Sequence, residues 1–117
     1  NYEEMYHQVM EERRQFLYPP YCRFIQLTFK SRNIQTLDAA TAVMARLMRQ
    51  QFGNMVLGPA YPSIQRIKNL YMKQVLLKVT EVTQLPAIKQ WLRQAADAVL
   101  ADADYRSVFV SFDVDPY

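Results

Sequence analysis

Four residues in one short stretch could bind an anion. Arg66, Lys68, Tyr71 and Lys73 fall within eight positions, and Tyr61 stands just before them. Cationic side chains neutralise phosphates, and tyrosine rings stack on unpaired bases. Asn69 marks a turn, so a hairpin tip would carry the cluster outward. The plainer reading of the same residues is a solvated hairpin with Tyr71 in the core. The surrounding charge leaves both readings open. No Asp or Glu occurs between Asp38 and Glu81, a stretch that holds Arg46, Arg49, Arg66, Lys68, Lys73 and Lys78. The net charge is only +3, from 14 basic and 11 acidic residues. The acids gather at Glu3, Glu4, Glu11 and Glu12, and again at Asp97, Asp102, Asp104, Asp113 and Asp115. Segregation of this kind produces a local positive field even at small net charge.

Other chemistry finds little support. Gly53 and Gly58 are the two glycines, so a Gly-rich phosphate loop cannot be written. One Cys, Cys22, and one His, His7, cannot make a four-ligand zinc site within these residues. A nucleophile pair would have to use His7, in a segment that reads as a charged helix. Asp113 and Asp115, two apart on a strand, could share a proton or a metal. No third ligand or nearby His accompanies them, and they read as strand-end polar residues that cap or pair with Arg. No catalytic residue and no metal ligand is expected in this chain. Cys22 reads as a small apolar residue. A single Cys fits a reducing, cytoplasmic setting, and no apolar run approaches membrane-spanning length. Asn1, not Met, opens the sequence, and the chain is expected to be a piece of a longer protein.

The elements that must position the cluster follow from periodicity. Residues 1–18 read as an N-terminal helical extension, with a helix over 2–17 that ends at Tyr18-Pro19-Pro20. The run Phe16, Tyr18 and Tyr21 reads as a packed chain reversal. A strand over 22–31 alternates Ile25, Leu27 and Phe29 with Gln26, Thr28 and Lys30. Asn33 caps a helix that runs to about Phe52 and stops at Gly53. Extended structure follows over 55–57, is interrupted by Gly58, Pro59 and Pro62, and resumes over 63–67. Residues 70–80 form a strand apolar on both sides, hence central. A helix over 81–103 carries Leu85, Ile88, Leu92, Ala95 and Val99 on one stripe, with Thr83 as its cap and Trp91 partly in the core. The last strand, 107–114, turns Val108, Val110, Phe112 and Val114 to one face, and Phe109, Ser111 and Asp113 to the other. The order predicts an α+β, ferredoxin-like split β-α-β sandwich with two helices on one face of a four-stranded antiparallel sheet. The other face is left for the extra helix, a partner or nucleic acid. The whole chain, 1–117, reads as a single domain.

Several motifs together resemble one family. They are Glu12-Arg13 before Phe16, Tyr18-Pro19-Pro20-Tyr21-Cys22-Arg23, Leu57-Gly58-Pro59-Ala60, Arg66-Ile67-Lys68, Tyr71 followed by Gln74-Val75-Leu76-Leu77-Lys78, and Asp113-Val114-Asp115-Pro116. Their order and spacing along nearly the whole chain are similar to the C-terminal domain of primosomal protein N′, the PriA-type replication-restart helicases of bacteria. The resemblance implies a fold like that of a small-subunit ribosomal protein. It implies a parent that is an ATP-dependent DNA helicase, with ATP, magnesium and zinc bound in its other segments. It implies partners as well: forked or single-stranded DNA, the helicase core of the same polypeptide, single-stranded DNA-binding protein and primosome components. The chain departs from the family's usual Gly and Arg at Asn69 and Leu70, and from its Arg at Met72. The hairpin is correspondingly less basic, and Lys73 offsets this in part.

Two functions are expected to compete. In one, Arg66, Lys68, Tyr71 and Lys73 contact DNA through its backbone, without reading bases. In the other, the domain docks proteins and does not touch DNA. An exposed Tyr71 beside the cations favours the first, and a buried Tyr71 the second.

Overall fold

The computed structural model describes residues 4–5, 22–63 and 66–115. The helix expected over 2–17 and the aromatic-proline turn after it lie outside them, apart from helical Glu4 and Met5. The chain runs β1 (Arg23–Ser31), α1 (Ile34–Phe52), β2 (Val56–Ala60), β3 (Arg66–Ile67), β4 (Leu70–Val79), α2 (Leu85–Leu100) and β5 (Phe109–Val114). The sheet order is β2-β4-β1-β5, and β3 also pairs with β4. Every pairing is antiparallel. β2 lies opposite residues 74–77 of β4, and β3 opposite Leu70 and Tyr71, so the two form one interrupted edge strand. This is the expected α+β sandwich, with two helices on a four-stranded antiparallel sheet.

Local sequence explains most of the boundaries. Asn33 is in extended conformation, and its side chain accepts from Gln35 N at 2.9 Å and Thr36 N at 3.1 Å. Those two donors have no partner inside the helix, so the cap stabilises α1 by about 1 kcal/mol. Gly53 ends α1 at φ +62°, a conformation that costs glycine little. The start of α2 differs from expectation. Thr83 lies in a 3-10 turn, Val82–Gln84, and no side chain caps the helix. The turn feeds directly into the helix, with Leu85 N donating to Val82 O, and Pro86 occupies the first turn where no N–H is needed.

The core lies between sheet and helices. Ile25, Leu27 and Phe29 of β1 meet Leu37, Met44 and Met48 of α1, Leu92 and Ala96 of α2, and Val75 and Leu77 of β4. Each of the large side chains stabilises the fold by about 1.5–3 kcal/mol through burial. Phe52 meets Trp91 edge-to-face at 5.0 Å, joining the end of α1 to α2. β1 is more buried than its polar alternation implies. Gln26 and Thr28 are buried too, and Gln74 Nε2 donates to Thr28 Oγ1 at 3.3 Å. On the sheet face away from the helices, Phe24, Leu76 and Cys22 form a second small cluster with Leu57.

Candidate nucleic-acid interface

The β3–β4 hairpin is as tight as a hairpin can be. Ile67 pairs with Leu70, leaving Lys68 and Asn69 as a two-residue loop. Both loop residues have positive φ, 52° and 67°. That is the pattern of a type I′ turn, whose twist matches the flanking strands. Asn tolerates this region because its short polar side chain can bond locally. Lysine has no such help, and holding it there costs on the order of 1 kcal/mol. Lys68 is thus fixed at the exposed apex of the hairpin.

The other three predicted residues lie behind the apex. The Arg66 backbone pairs with Tyr71. Tyr71 is half-buried and packs against the main core, on the helix side of the sheet. Lys73, two residues on, shares that face. Its ammonium donates to Asp38 Oδ1 of α1 at 3.0 Å. It also sits 4.8 Å from the centre of the Tyr61 ring. The Tyr61 hydroxyl donates to the same Asp38 oxygen at 2.5 Å. The Lys73 side chain is 15% exposed, so a carboxylate and a ring already surround its charge. The hairpin therefore gathers Arg66, Lys68 and Tyr71 at one end of the sheet, and Lys73 is turned toward α1.

The electrostatics of this triad are mutual. Burial alone would raise the Asp38 carboxyl, but the hydrogen bonds from Tyr61 and Lys73 and the Lys73 charge outweigh it and hold the group below its usual value. Tyr61 moves the opposite way. Its hydrogen bond to Asp38, with burial and the carboxylate's charge, pushes the phenol up to about 12. Asp38 and Tyr61 have no local signal as Lys73's partners. Asp38 stands 23 residues from Tyr61 and 35 from Lys73, and only the packing of α1 against the sheet brings it to them.

The remaining chemistry is structural. Asp115 turns at φ 48° and accepts from Arg23 Nε and from Phe24 N, the latter at 2.9 Å. This is the arginine pairing expected at the strand end, and Asp113 stands apart, exposed. Arg49 donates to the Gly58 carbonyl and ties α1 to β2. Among the described residues, no three His, Cys, Asp or Glu side chains group to hold a metal, and no helix is long and apolar enough to cross a membrane.

A ferredoxin-like α+β domain with a tight two-residue hairpin loop carrying a cation is the class these features define. The family model for the primosomal protein N C-terminal domain matches residues 14–117, and the chain belongs to that family. Two relatives match over nearly the whole chain. One is the replication restart protein PriA of Bacillus subtilis (strain 168), 28% identical and covering 100% of this chain. The other is that of Treponema pallidum (strain Nichols), 34% identical and covering 97%. The chain spans 14% and 17% of those proteins' lengths. Among solved structures, a hydantoinase/carbamoylase family amidase from Burkholderia ambifaria overlaps 80% of this chain and 27% of its own, at TM-score 0.49 and 16% identity.

Proposed function

We propose that this chain is an accessory DNA-binding and docking domain of an ATP-dependent replication-restart helicase. It grips forked or single-stranded DNA through phosphate contacts made by the β3–β4 hairpin. Arg66 and Lys68 make the main contacts, Tyr71 supports the hairpin from the core side, and Lys73 contributes less because Asp38 balances its charge. The observation that carries this reading is Lys68, held at an exposed apex in a conformation lysine disfavours. Catalysis, ATP, magnesium and zinc belong in this reading to other segments of the parent, which acts in the cytoplasm. Its partners are the helicase core of the same polypeptide, primosome components and single-stranded DNA-binding protein.

A second reading has its own support. Tyr71 packs against the core and Lys73 is paired, as a pure docking module would have them. Binding of the chain to labelled forked and single-stranded DNA at several salt concentrations separates the two. Phosphate contact predicts affinity that falls with salt. Arg66→Ala/Lys68→Ala should then lower the slope of log K against log salt by about 2, and Lys73→Ala should change it less than either single substitution. A folded chain that binds no DNA at low salt would establish docking instead.

A further inference from the structure

A second patch lies on the opposite face of the sheet, away from the helices. Val110 of β5, Phe29 of β1 and Tyr71 of β4 pack on the helix side. Their neighbours Phe109, Lys30 and Met72 therefore point the other way. The register places these three in one row across adjacent strands, Phe109 opposite Lys30 and Lys30 opposite Met72. Strand spacing makes the row about 10 Å long. Ile67, paired with Leu70, extends it on the same face toward the hairpin apex at Lys68. Phe109 is 65% exposed and Ile67 47%. One exposed phenylalanine would be ordinary. Here two of the three exposed large apolar side chains among the described residues, Phe109 and Ile67, stand at one end of a face whose other end buries Phe24 and Leu76, while the third, Val82, lies in the turn after β4. Cations interleave them. Lys30 makes no ion pair with an acid of the described residues, and Lys68 stands at the rim. The nearest acid along β5, Asp113, is four residues from Phe109, about 13 Å away.

We infer that this row is a stacking platform for a short single-stranded DNA segment, with a base on the Phe109 ring, the adjoining phosphate on Lys30 and a phosphate farther along the same strand on Lys68. It rests on the DNA-binding reading above and adds a second set of contacts on the far face of the sheet, made to a base as well as to phosphates. Aromatic rings offer a surface that every base can use, and adjacent cations hold the backbone. A duplex would hide its base faces from Phe109.

The test compares a single-stranded dT oligonucleotide with an abasic oligonucleotide of equal length and charge. The stacking platform predicts that Phe109→Ala weakens dT binding by about 5- to 100-fold and leaves abasic binding unchanged. Phe109→Tyr should keep dT binding, and Phe109→Leu, which retains apolar area without a ring face, should not. Phe109→Trp should give a fluorophore that dT quenches and the abasic strand does not. Equal dT binding by wild type and Phe109→Ala would overturn the inference, as would self-association of the chain that Phe109→Ala abolishes. Either result leaves the hairpin reading standing if Arg66→Ala/Lys68→Ala still weakens fork binding. A wild-type chain that binds none of these DNAs at low salt overturns both.

Discussion

Two acidic residues hold much of the tertiary structure's polar chemistry. Asp38 accepts from both Tyr61 and Lys73, and its carboxyl lies below its unfolded value. A depressed carboxyl stabilises the fold above its unfolded pKa, and that contribution is lost as pH falls through the folded value. Tyr61, raised to about 12 from 10.0, contributes below pH 10 and loses its contribution as pH rises toward 12. The triad therefore favours the fold between these limits. Because the Asp38 side chain is 43% exposed, solvent screening keeps its pairing with Lys73 to about 1 kcal/mol or less. Urea unfolding at pH 3 and pH 6 should show a smaller stability difference in Asp38→Asn than in the wild type. An equal difference would remove Asp38 from this role. Asp115 is the more consequential carboxylate. It satisfies the Phe24 main-chain donor and pairs with Arg23, and both side chains are mostly buried. Asp115→Ala should cost about 2 kcal/mol, read as a lower denaturation midpoint with unchanged slope.

At the scale of elements, two backbone positions set the shape of the β2–β4 edge. Gly58 lies at φ +96°, where β2 shifts register against β4. A Cβ there would meet Gln74 O at 3.0 Å and Ala60 N at 3.2 Å, both main-chain atoms that cannot swing away. Gly58→Ala should therefore destabilise the chain by roughly 1–3 kcal/mol. Lys68 is the opposite case. Lys68→Gly removes the strain at φ 52° and should raise stability by about 1 kcal/mol, while weakening DNA binding and lowering the salt slope by about 1. Thermal unfolding and DNA titration on one variant read both effects. A variant that gained stability and lost no affinity would leave the hairpin without its proposed role. The alternation of β4 and the Asn33 cap were legible from residue types, because each depends on neighbours within a few positions. The start of α2 was not. Thr83 looks like a cap in sequence, yet a preceding 3-10 turn supplies the first hydrogen bond.

For the whole molecule, stability comes from the layer between sheet and helices. Leu92 of α2 is fully buried against β1 and α1 residues, and Leu92→Ala should cost about 2–5 kcal/mol. Loss of less than 1 kcal/mol, read by urea denaturation, would mean that α2 is not integral to this core. The sequence by itself determined the kinds of element and their order, because period-two and three-four apolar spacing belong to single segments. It also determined the acid-free stretch, the candidate hairpin residues and the family resemblance. It could not rank those residues, because their environments come from segments distant in the chain. Lys73 looked equivalent to Lys68 until the packing of α1 against the sheet brought Asp38 to it. Tyr71 could have faced either way until the register placed it on the helix side. Phe109 was readable as facing away from Val110, but its row with Lys30 and Met72 exists only across three strands. Charge and periodicity are local properties. Which cations are already neutralised, and which aromatic ring meets solvent, depend on contacts that only the folded chain makes.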